Sequence, residues 1–209
     1  MKRTKLLLLQ AGALPFCISA NIVLRSVFGR FDSFVFSFFA YWLYLSAASF
    51  LLLRKNPELR ARLASLFGKA DSLFFAALAF LPAAMVFSVA FLPELASLTP
   101  RIFIAALLIG LFNGFIEEFF WRGISIAAAA GSKPRLAASV LLFGVFHAAF
   151  LFLDLEYSGG AANLIGGAFF LGTVWLLVSL KTKSVRASIA AHQLVNALAF
   201  SGLFILNGI

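Results

Sequence analysis

Residues 102–122 read IFIAALLIGLFNGFIEEFFWR, a long apolar run that ends in two glutamates and an arginine. A helix needs about 20 apolar residues to cross the hydrocarbon core of a bilayer, and this run meets that length. The rest of the chain has the same character, because 63% of its 209 residues are hydrophobic and 12% are charged. Soluble domains carry about 25% charged residues. The composition therefore indicates a membrane protein, and it excludes a soluble enzyme, a disordered chain and a nucleic-acid-binding protein.

Six further apolar runs lie on either side of this one, and none shows the polar–apolar alternation of membrane strands. We therefore predict an all-α fold, a polytopic bundle of about seven transmembrane helices in a single membrane-embedded domain that covers residues 1–209. Residues 1–100 contain no recognisable motif. The predicted spans are roughly Leu6–Leu24, Phe31–Leu53, Ser72–Leu92, Ile102–Trp121, Leu136–Leu153, Ala162–Leu180 and Ala187–Leu206.

The net charge of +9 is explained by membrane orientation rather than by nucleic acid. Basic residues concentrate in cytoplasmic loops, and a cytoplasmic N-terminus places 13 of the 17 on that side. The opposite side then holds three, Arg25, Arg30 and Arg101. The pattern predicts an N-in, C-out bundle. The 13 residues are Lys2, Arg3, Lys5, Arg54, Lys55, Arg60, Arg62, Lys69, Lys133, Arg135, Lys181, Lys183 and Arg186.

The first span resembles a signal peptide, because Lys2, Arg3 and Lys5 precede a run of leucines. Its apolar run of about 19 residues is longer than the core of a signal peptide. We therefore predict an uncleaved transmembrane span.

Span four carries Glu117, Glu118 and Arg122, although a charge at the bilayer centre costs about 2.5–3.5 kcal/mol. Glu118 and Arg122 are four residues apart, so they share a helix face and can pair. Glu117 points about 100° away and is expected to be free for another partner. The alternative is that both glutamates reach out to the membrane interface.

Both histidines of the chain lie in predicted spans, His147 in span five and His192 in span seven. Asn196 follows His192 by four residues, on the same helix face. His147 alone can be a packed residue bonded to a carbonyl, and His192 with Asn196 can simply join helices. Counted from the basic loops, however, Glu117, His147, Asn196 and His192 lie roughly 20, 18, 15 and 9 Å deep. These depths predict one polar cavity that is reached from the cytoplasmic side.

A carboxylate and two imidazoles around a water-filled cavity suit hydrolysis. Glu117 can act as general base, and His147 can hold the water or protonate the leaving amine. His192 and Asn196 can stabilise the oxyanion. The sequence offers no convincing covalent nucleophile: Cys17 lies in span one, and no Gly-x-Ser-x-Gly occurs. His-Glu-x-x-His is absent as well.

Three motifs in order, Glu117-Glu118-x-x-x-Arg122, Phe143-x-x-x-His147 and His192-x-x-x-Asn196, resemble the signature of the CPBP family. These are intramembrane proteases related to the Rce1-type CAAX prenyl endopeptidase, and they are also called the Abi family. The resemblance runs from about Asn113 to Asn196 and makes residues 102–206 the expected catalytic core.

The resemblance implies a helix bundle with a conical cavity open to the cytoplasmic leaflet. It implies that Glu117 and His147 activate water and that His192 and Asn196 stabilise the oxyanion. Glu118, Arg122 and Phe143 become supporting residues. No cofactor is favoured, because Glu117, His147 and His192 can bind zinc by residue type but lack a strong ligand spacing.

We therefore expect an intramembrane endopeptidase of the bacterial inner membrane that acts near the cytoplasmic leaflet. Its partners are the lipid bilayer and a peptide or protein substrate, which can itself be membrane-anchored. A non-proteolytic immunity or scaffold protein of the same fold is the first alternative. A proton-coupled transporter is the second, although the sequence shows no inverted repeat.

Overall fold

The computed structural model describes residues 4–68 and 72–209, and within these residues the chain is helical with no strand. Seven helical segments are long and apolar enough to cross a membrane, which confirms the predicted all-α bundle. Lys2, Arg3 and Lys69, which entered the charge argument, lie outside the described residues. The seven segments are Thr4–Val27, Arg30–Leu53, Leu73–Ser97, Pro100–Ala129, Lys133–Leu153, Gly160–Thr182 and Arg186–Leu206, and they are called spans one to seven.

Spans one, two, six and seven are single α-helices, whereas spans three, four and five change helix type along their length. A π-helical segment covers Phe87–Phe91 in span three, and another covers Glu118–Ile124 in span four. Segments of 3-10 helix end span three at Leu92–Ser97 and span five at His147–Leu153. The α-helices are α1 Thr4–Val27, α2 Arg30–Leu53, α3 Pro57–Ser65, α4 Leu73–Leu78, α5 Leu81–Val86, α6 Pro100–Glu117, α7 Ser125–Ala129, α8 Lys133–Phe146, α9 Gly160–Thr182 and α10 Arg186–Leu206.

Span three differs most from the prediction, which was one helix over Ser72–Leu92. α4 ends at Leu78 and α5 begins at Leu81 with a proline at its second position. Proline has no backbone N–H, so Pro82 cannot continue the hydrogen bonding of the preceding turn. The span is therefore a chain of short segments, and only 17% of its most apolar stretch is buried, the smallest share among the seven described spans.

α6 and α10 pack with their backbones in close contact because α6 carries glycines four residues apart. A Cβ atom on Gly110 would lie 2.8 Å from the Ala197 nitrogen, and one on Gly114 would lie 2.7 Å from the Gln193 nitrogen. Glycines at this spacing allow membrane helices to approach closely. The approach brings the end of α6 directly against the part of α10 that carries His192.

Polar side chains join α1 to the second half of the bundle. Gln10 Nε2 donates to the hydroxyls of Ser125 at 2.8 Å and Ser139 at 2.9 Å. Asn21 Nδ2 donates to the Ala149 carbonyl at 2.8 Å, in the segment that begins with His147. Span one is thus a structural part of the bundle and supports the helix that carries one of the two histidines.

A short helix packs over the bundle end that bears the basic loops. α3 begins after Asn56, whose side chain accepts a hydrogen bond from the Leu59 backbone N–H at 3.1 Å. Just after α3, the Leu66 carbonyl accepts a hydrogen bond from the Val185 N–H at 2.9 Å. These contacts tie the loop between spans two and three to the start of α10.

Candidate active site

The two glutamates lie where α6 changes into the π-helical segment. Glu117 is the last residue of α6 and Glu118 the first of the π segment, and both side chains are buried. The helix continues through α7 to Ala129, beyond the predicted end of the span at Trp121, and ends where Ala130 adopts a left-handed conformation. π-helical turns inside α-helices occur frequently at functional sites.

His192 lies between the two glutamates, and each of its ring nitrogens contacts one of them. Nε2 lies 3.2 Å from Glu117 Oε2, and Nδ1 lies 2.9 Å from Glu118 Oε1. The side chains of neighbouring helix residues point about 100° apart. One imidazole ring contacts both carboxylates because its two nitrogens lie on different edges of the ring. The Nδ1 contact with Glu118 has hydrogen-bond geometry, whereas Glu117 Oε2 has no hydrogen-bond partner among the described residues.

The expectation that Glu118 pairs with arginine while Glu117 is free for another partner agrees with these contacts. The predicted Glu118–Arg122 pair is present, with Arg122 Nη1 3.1 Å from Glu118 Oε1. The partner of Glu117 is His192, because α10 lies close enough to α6 for this ring to contact both carboxylates. The same contacts join α6 to α10, so His192 also has the helix-joining role that the sequence analysis considered.

Arg122 is buried against an aromatic ring as well as a carboxylate. Its guanidinium lies 3.9 Å from the centre of the Phe143 ring, a cation–π contact. A Cβ atom on Gly172 would lie 2.9 Å from the Phe143 ring and 3.1 Å from Arg122 Nη2. Phe143 therefore supports the site as expected, and Gly172 leaves the space that this stack occupies.

Two residues of the site were missed from the sequence. Trp175 stacks on the His192 ring with centres 4.2 Å apart, and its Nε1 donates to the Ala79 carbonyl at 3.1 Å. The Tyr41 hydroxyl accepts a 2.8 Å hydrogen bond from Trp121 Nε1 and interacts with the Glu117 carboxylate. Neither residue belongs to a sequence motif. The only feature of the sequence that indicates them is an aromatic side chain with a polar atom inside an apolar span.

His147 presents one ring nitrogen to the protein and leaves the other free. Its Nδ1 lies 2.8 Å from the Phe143 carbonyl oxygen, which can only accept, so Nδ1 carries the hydrogen. In the neutral ring Nε2 is then an acceptor. His147 is half-buried and lines the same cavity as Glu117.

Asn196 contributes an unused donor. Its side chain is 7% exposed and lines the cavity, and its Nδ2 atom is buried without a hydrogen-bond partner among the described residues. A buried amide that lacks a partner costs about 1–3 kcal/mol, so the atom is suited to receive a ligand. Nearby, Asn113 Oδ1 accepts a 3.0 Å hydrogen bond from Trp42 Nε1.

A cavity of about 390 Å³ connects the polar residues of three spans, as the depth argument predicted. Its polar wall is formed by Asn113, Glu117, His147, His192 and Asn196. The wall contains the four residues predicted to be catalytic, but the Nε2 atom of His192 is directed to Glu117.

The cavity extends toward the bundle end opposite the basic loops, and access from the basic side stays a prediction. Its lining includes Phe34 near the start of α2, Leu203 near the end of α10, and Asn163 near the start of α9. At the other end, the Leu66–Val185 hydrogen bond ties the segment after α3 to the start of α10. Which membrane face each end meets stays a prediction from charge.

Tyr157 lines the cavity from the loop between spans five and six. Its hydroxyl donates to the Phe150 carbonyl at 2.8 Å, and burial raises its pKa well above the usual value. Tyr157 therefore remains neutral. At the same bundle end, Arg25 lies 2.9 Å from Asp154, and its hydrogen bond and charge lower the pKa of that carboxyl group.

The residues proposed for zinc do not fit a metal site. Among the described residues, no group of three or more His, Cys, Asp or Glu side chains is arranged to hold a metal ion. Both nitrogens of His192 are directed to carboxylates, and Nδ1 of His147 is bonded to a carbonyl. We therefore derive no step through a metal.

Comparison with known proteins links this site to one family. The family model described as type II CAAX prenyl endopeptidase Rce1-like matches residues 98–198. The matched segment contains both glutamates, both histidines and Asn196. No curated protein and no solved structure gives a match. Through residues 98–198, which contain both glutamates and both histidines of the site, the chain is similar to the Rce1-like family.

Proposed function

We propose that this protein is an intramembrane endopeptidase that hydrolyses a peptide bond with a water molecule activated between Glu117 and His147. The observation that carries the proposal is the shared cavity, which combines a buried carboxylate, an imidazole with a free acceptor nitrogen and an unpartnered amide donor. The family match implies peptidase activity and supports the reaction class.

Glu117 and His147 provide the acid–base chemistry. His192 and Tyr41 hold the Glu117 carboxylate, so its orientation is fixed before substrate arrives. Water attacks the substrate carbonyl carbon as one of the two bases takes its proton. The same proton then passes to the leaving amine as the C–N bond breaks, so no covalent intermediate and no further reactant are required.

Asn196 stabilises the oxyanion that forms in this step. Its Nδ2–H group is buried and has no partner among the described residues, so it can bond the oxyanion without first losing another contact. His192 was expected to share this role, but its Nε2 is directed to Glu117. We assign His192 as the residue that positions Glu117.

The test compares the membrane proteomes of cells that produce the wild type, Glu117→Gln or His147→Ala. Peptide ends that appear only with the wild type identify the substrate, and the purified proteins are then assayed on it in liposomes. We expect both variants to lose cleavage while Asp154→Asn, a change remote from the site, retains it. Cleavage by purified Glu117→Gln at the wild-type rate would overturn the mechanism. If no peptide end depends on the wild type, the non-proteolytic alternative is favoured.

Metal dependence is tested separately by elemental analysis of chelator-treated protein. We expect full cleavage without bound zinc, because the described residues do not form a metal site. Loss of cleavage on chelation, with recovery on adding zinc, would contradict the metal-free mechanism.

A further inference from the structure

The break in span three leaves one backbone carbonyl without a donor from its own helix. In a continuous α-helix the Ala79 carbonyl would accept a hydrogen bond from the Ala83 N–H. In this structure the Ala83 N–H instead donates to the Phe80 carbonyl at 3.0 Å. A tighter turn cannot supply the donor either, because Pro82 has no backbone N–H. The Ala79 carbonyl therefore needs a partner from another helix, since an unpaired carbonyl inside a membrane is costly.

That partner is the indole of Trp175 in span six. Its Nε1–H donates to the Ala79 carbonyl at 3.1 Å, and both residues are fully buried. A buried indole N–H itself needs an acceptor, so the contact satisfies both groups. The backbone of Trp175 is held as well, because the Ser188 hydroxyl donates to its carbonyl at 3.1 Å. Trp175 is thus fixed to span three through its side chain and to span seven through its backbone.

The face of the same indole packs on the ring of His192. The two ring centres lie 4.2 Å apart and the planes differ by 28°. The nitrogens on the edges of the imidazole face Glu117 and Glu118. Two edge contacts fix where the nitrogens lie, but they allow the ring to tilt about the line that joins them. The stacked indole opposes that tilt, so it supplies a constraint that the carboxylates do not.

The indole also lies beside the second basic side chain of the site. The Arg122 guanidinium is 5.6 Å from the centre of the Trp175 ring. Arg122 and His192 are the two basic side chains that contact Glu118. One indole therefore packs against both partners of this carboxylate, while its N–H group is bonded to span three.

We infer that Trp175 is a positioning residue, which holds His192 in the orientation that contacts both glutamates and takes its own position from the Ala79 carbonyl of span three. Trp175 acts through His192 and takes no part in making or breaking bonds. The inference rests on the proposed function, in which His192 positions Glu117. Span three is the least buried of the described spans. A movement of this span at its break would therefore pass through the indole to His192.

Three substitutions separate the stacking contact from the hydrogen bond to span three. Trp175→Phe keeps an aromatic face but removes the N–H donor, and Trp175→Leu removes both. Pro82→Ala leaves the indole intact and restores an N–H to span three, so the helix can continue and bond the Ala79 carbonyl itself.

Phe204→Leu is the matched control for the loss of a buried ring. Phe204 is 1% exposed and lies on α10, as His192 does. It is about three turns away from His192, and it does not line the cavity. Melting temperatures in detergent show which variants fold.

The first measurement is NMR of the protein in nanodiscs with isotope-labelled histidine. The chain has two histidines, so a His147→Ala background leaves the signals of His192 alone. An imidazole stacked on an indole has its ring proton signals shifted upfield. We expect Trp175→Leu to lose this shift and to change both ring nitrogen signals. Trp175→Phe and Pro82→Ala should give smaller changes, and Phe204→Leu should leave the signals in place.

The second measurement is the cleavage rate in liposomes, on the substrate that the proteome comparison identifies. A positioning residue acts on the chemical step, so Trp175→Leu should lower kcat by about 10- to 100-fold with a smaller change in KM. Trp175→Phe retains the stacking contact and should recover most of the rate.

Two results overturn the role of Trp175: unchanged His192 signals in folded Trp175→Leu, or equal changes in Phe204→Leu. If Trp175→Leu does not fold, unchanged signals in Trp175→Phe overturn it instead. Unchanged signals in Pro82→Ala would refute the link to span three. Failure of the proposed function looks different, because the wild type then cleaves nothing while the His192 signals still depend on Trp175.

Discussion

Two buried polar clusters join helices in this bundle, and they differ in their chemistry and surroundings. The span-one cluster consists of Gln10, Ser125 and Ser139, neutral groups whose mutual distances are 2.8–3.0 Å. The site cluster consists of Glu117, Glu118, Arg122 and His192. Glu117 and His192 of the site cluster line a cavity, whereas no member of the span-one cluster lines it.

The comparison separates polar groups that hold helices together from polar groups that are able to react. Neutral amide and hydroxyl groups need only each other inside a membrane, and such interhelical bonds contribute about 0.6–2 kcal/mol each. Buried charges are far more costly and need a partner, and here the two carboxylates contact a guanidinium and an imidazole. A protein that retains four ionisable groups beside a cavity has retained them at a cost in stability, which indicates a function.

The largest difference between the clusters is expected in hydrolysis. Glu117→Gln removes one of the two proposed bases with little change of shape and should slow cleavage by about 100- to 10,000-fold. Gln10→Leu removes a polar group of the span-one cluster and should leave the cleavage rate near that of the wild type, at a cost of about 1 kcal/mol in stability. Rates on the same substrate and melting temperatures measure both effects. A similar loss of cleavage in both variants would contradict the proposed difference between the reactive site cluster and the structural span-one cluster.

Within the site cluster, Glu118 is expected to matter most for stability. Glu118→Ala leaves the buried Arg122 without its carboxylate, and breaking a buried ion pair in this way costs about 3–5 kcal/mol. A clearly lowered melting temperature in detergent is expected. The isosteric Glu118→Gln keeps a hydrogen-bond acceptor and should recover part of the loss. An unchanged melting temperature for Glu118→Ala would show that the pair contributes nothing.

The close contact of α6 and α10 can be tested by adding one methyl group. Gly114→Ala places a Cβ atom 2.7 Å from the Gln193 nitrogen, so α10 must move, at a cost of about 1–3 kcal/mol. The movement also displaces His192 from the glutamates, so cleavage should fall together with stability. Gly166→Ala is the matched control, since its Cβ meets nothing within 4 Å. Equal melting temperatures for the two variants would contradict the packing described.

The smallest effect is expected outside the membrane, at the Arg25–Asp154 pair. Arg25 lowers the pKa of Asp154, so the pair contributes to stability above the ordinary carboxyl pKa of about 3.9. That contribution is lost as pH falls through the lowered folded-state pKa. Melting temperatures of the wild type and Asp154→Asn should therefore differ slightly at neutral pH and converge in acid. A gap that widens in acid would refute the pair's role.

The sequence by itself determined the seven spans and most of the site residues. Span length follows from bilayer thickness, so apolar runs alone predicted the bundle. Charged residues are costly in lipid, so Glu117, Glu118, Arg122, His147 and His192 were conspicuous within it. The Glu118–Arg122 pair was predictable because both residues lie on one helix at a fixed spacing.

Only the tertiary structure decided how the spans combine. The contact of His192 with both glutamates depends on how closely α10 approaches α6. Trp175 and Tyr41 enter the site from other spans, and no pattern along one helix places a residue against another. Local spacing fixes the face of a helix that a side chain occupies, but distances between helices depend on packing of the whole chain.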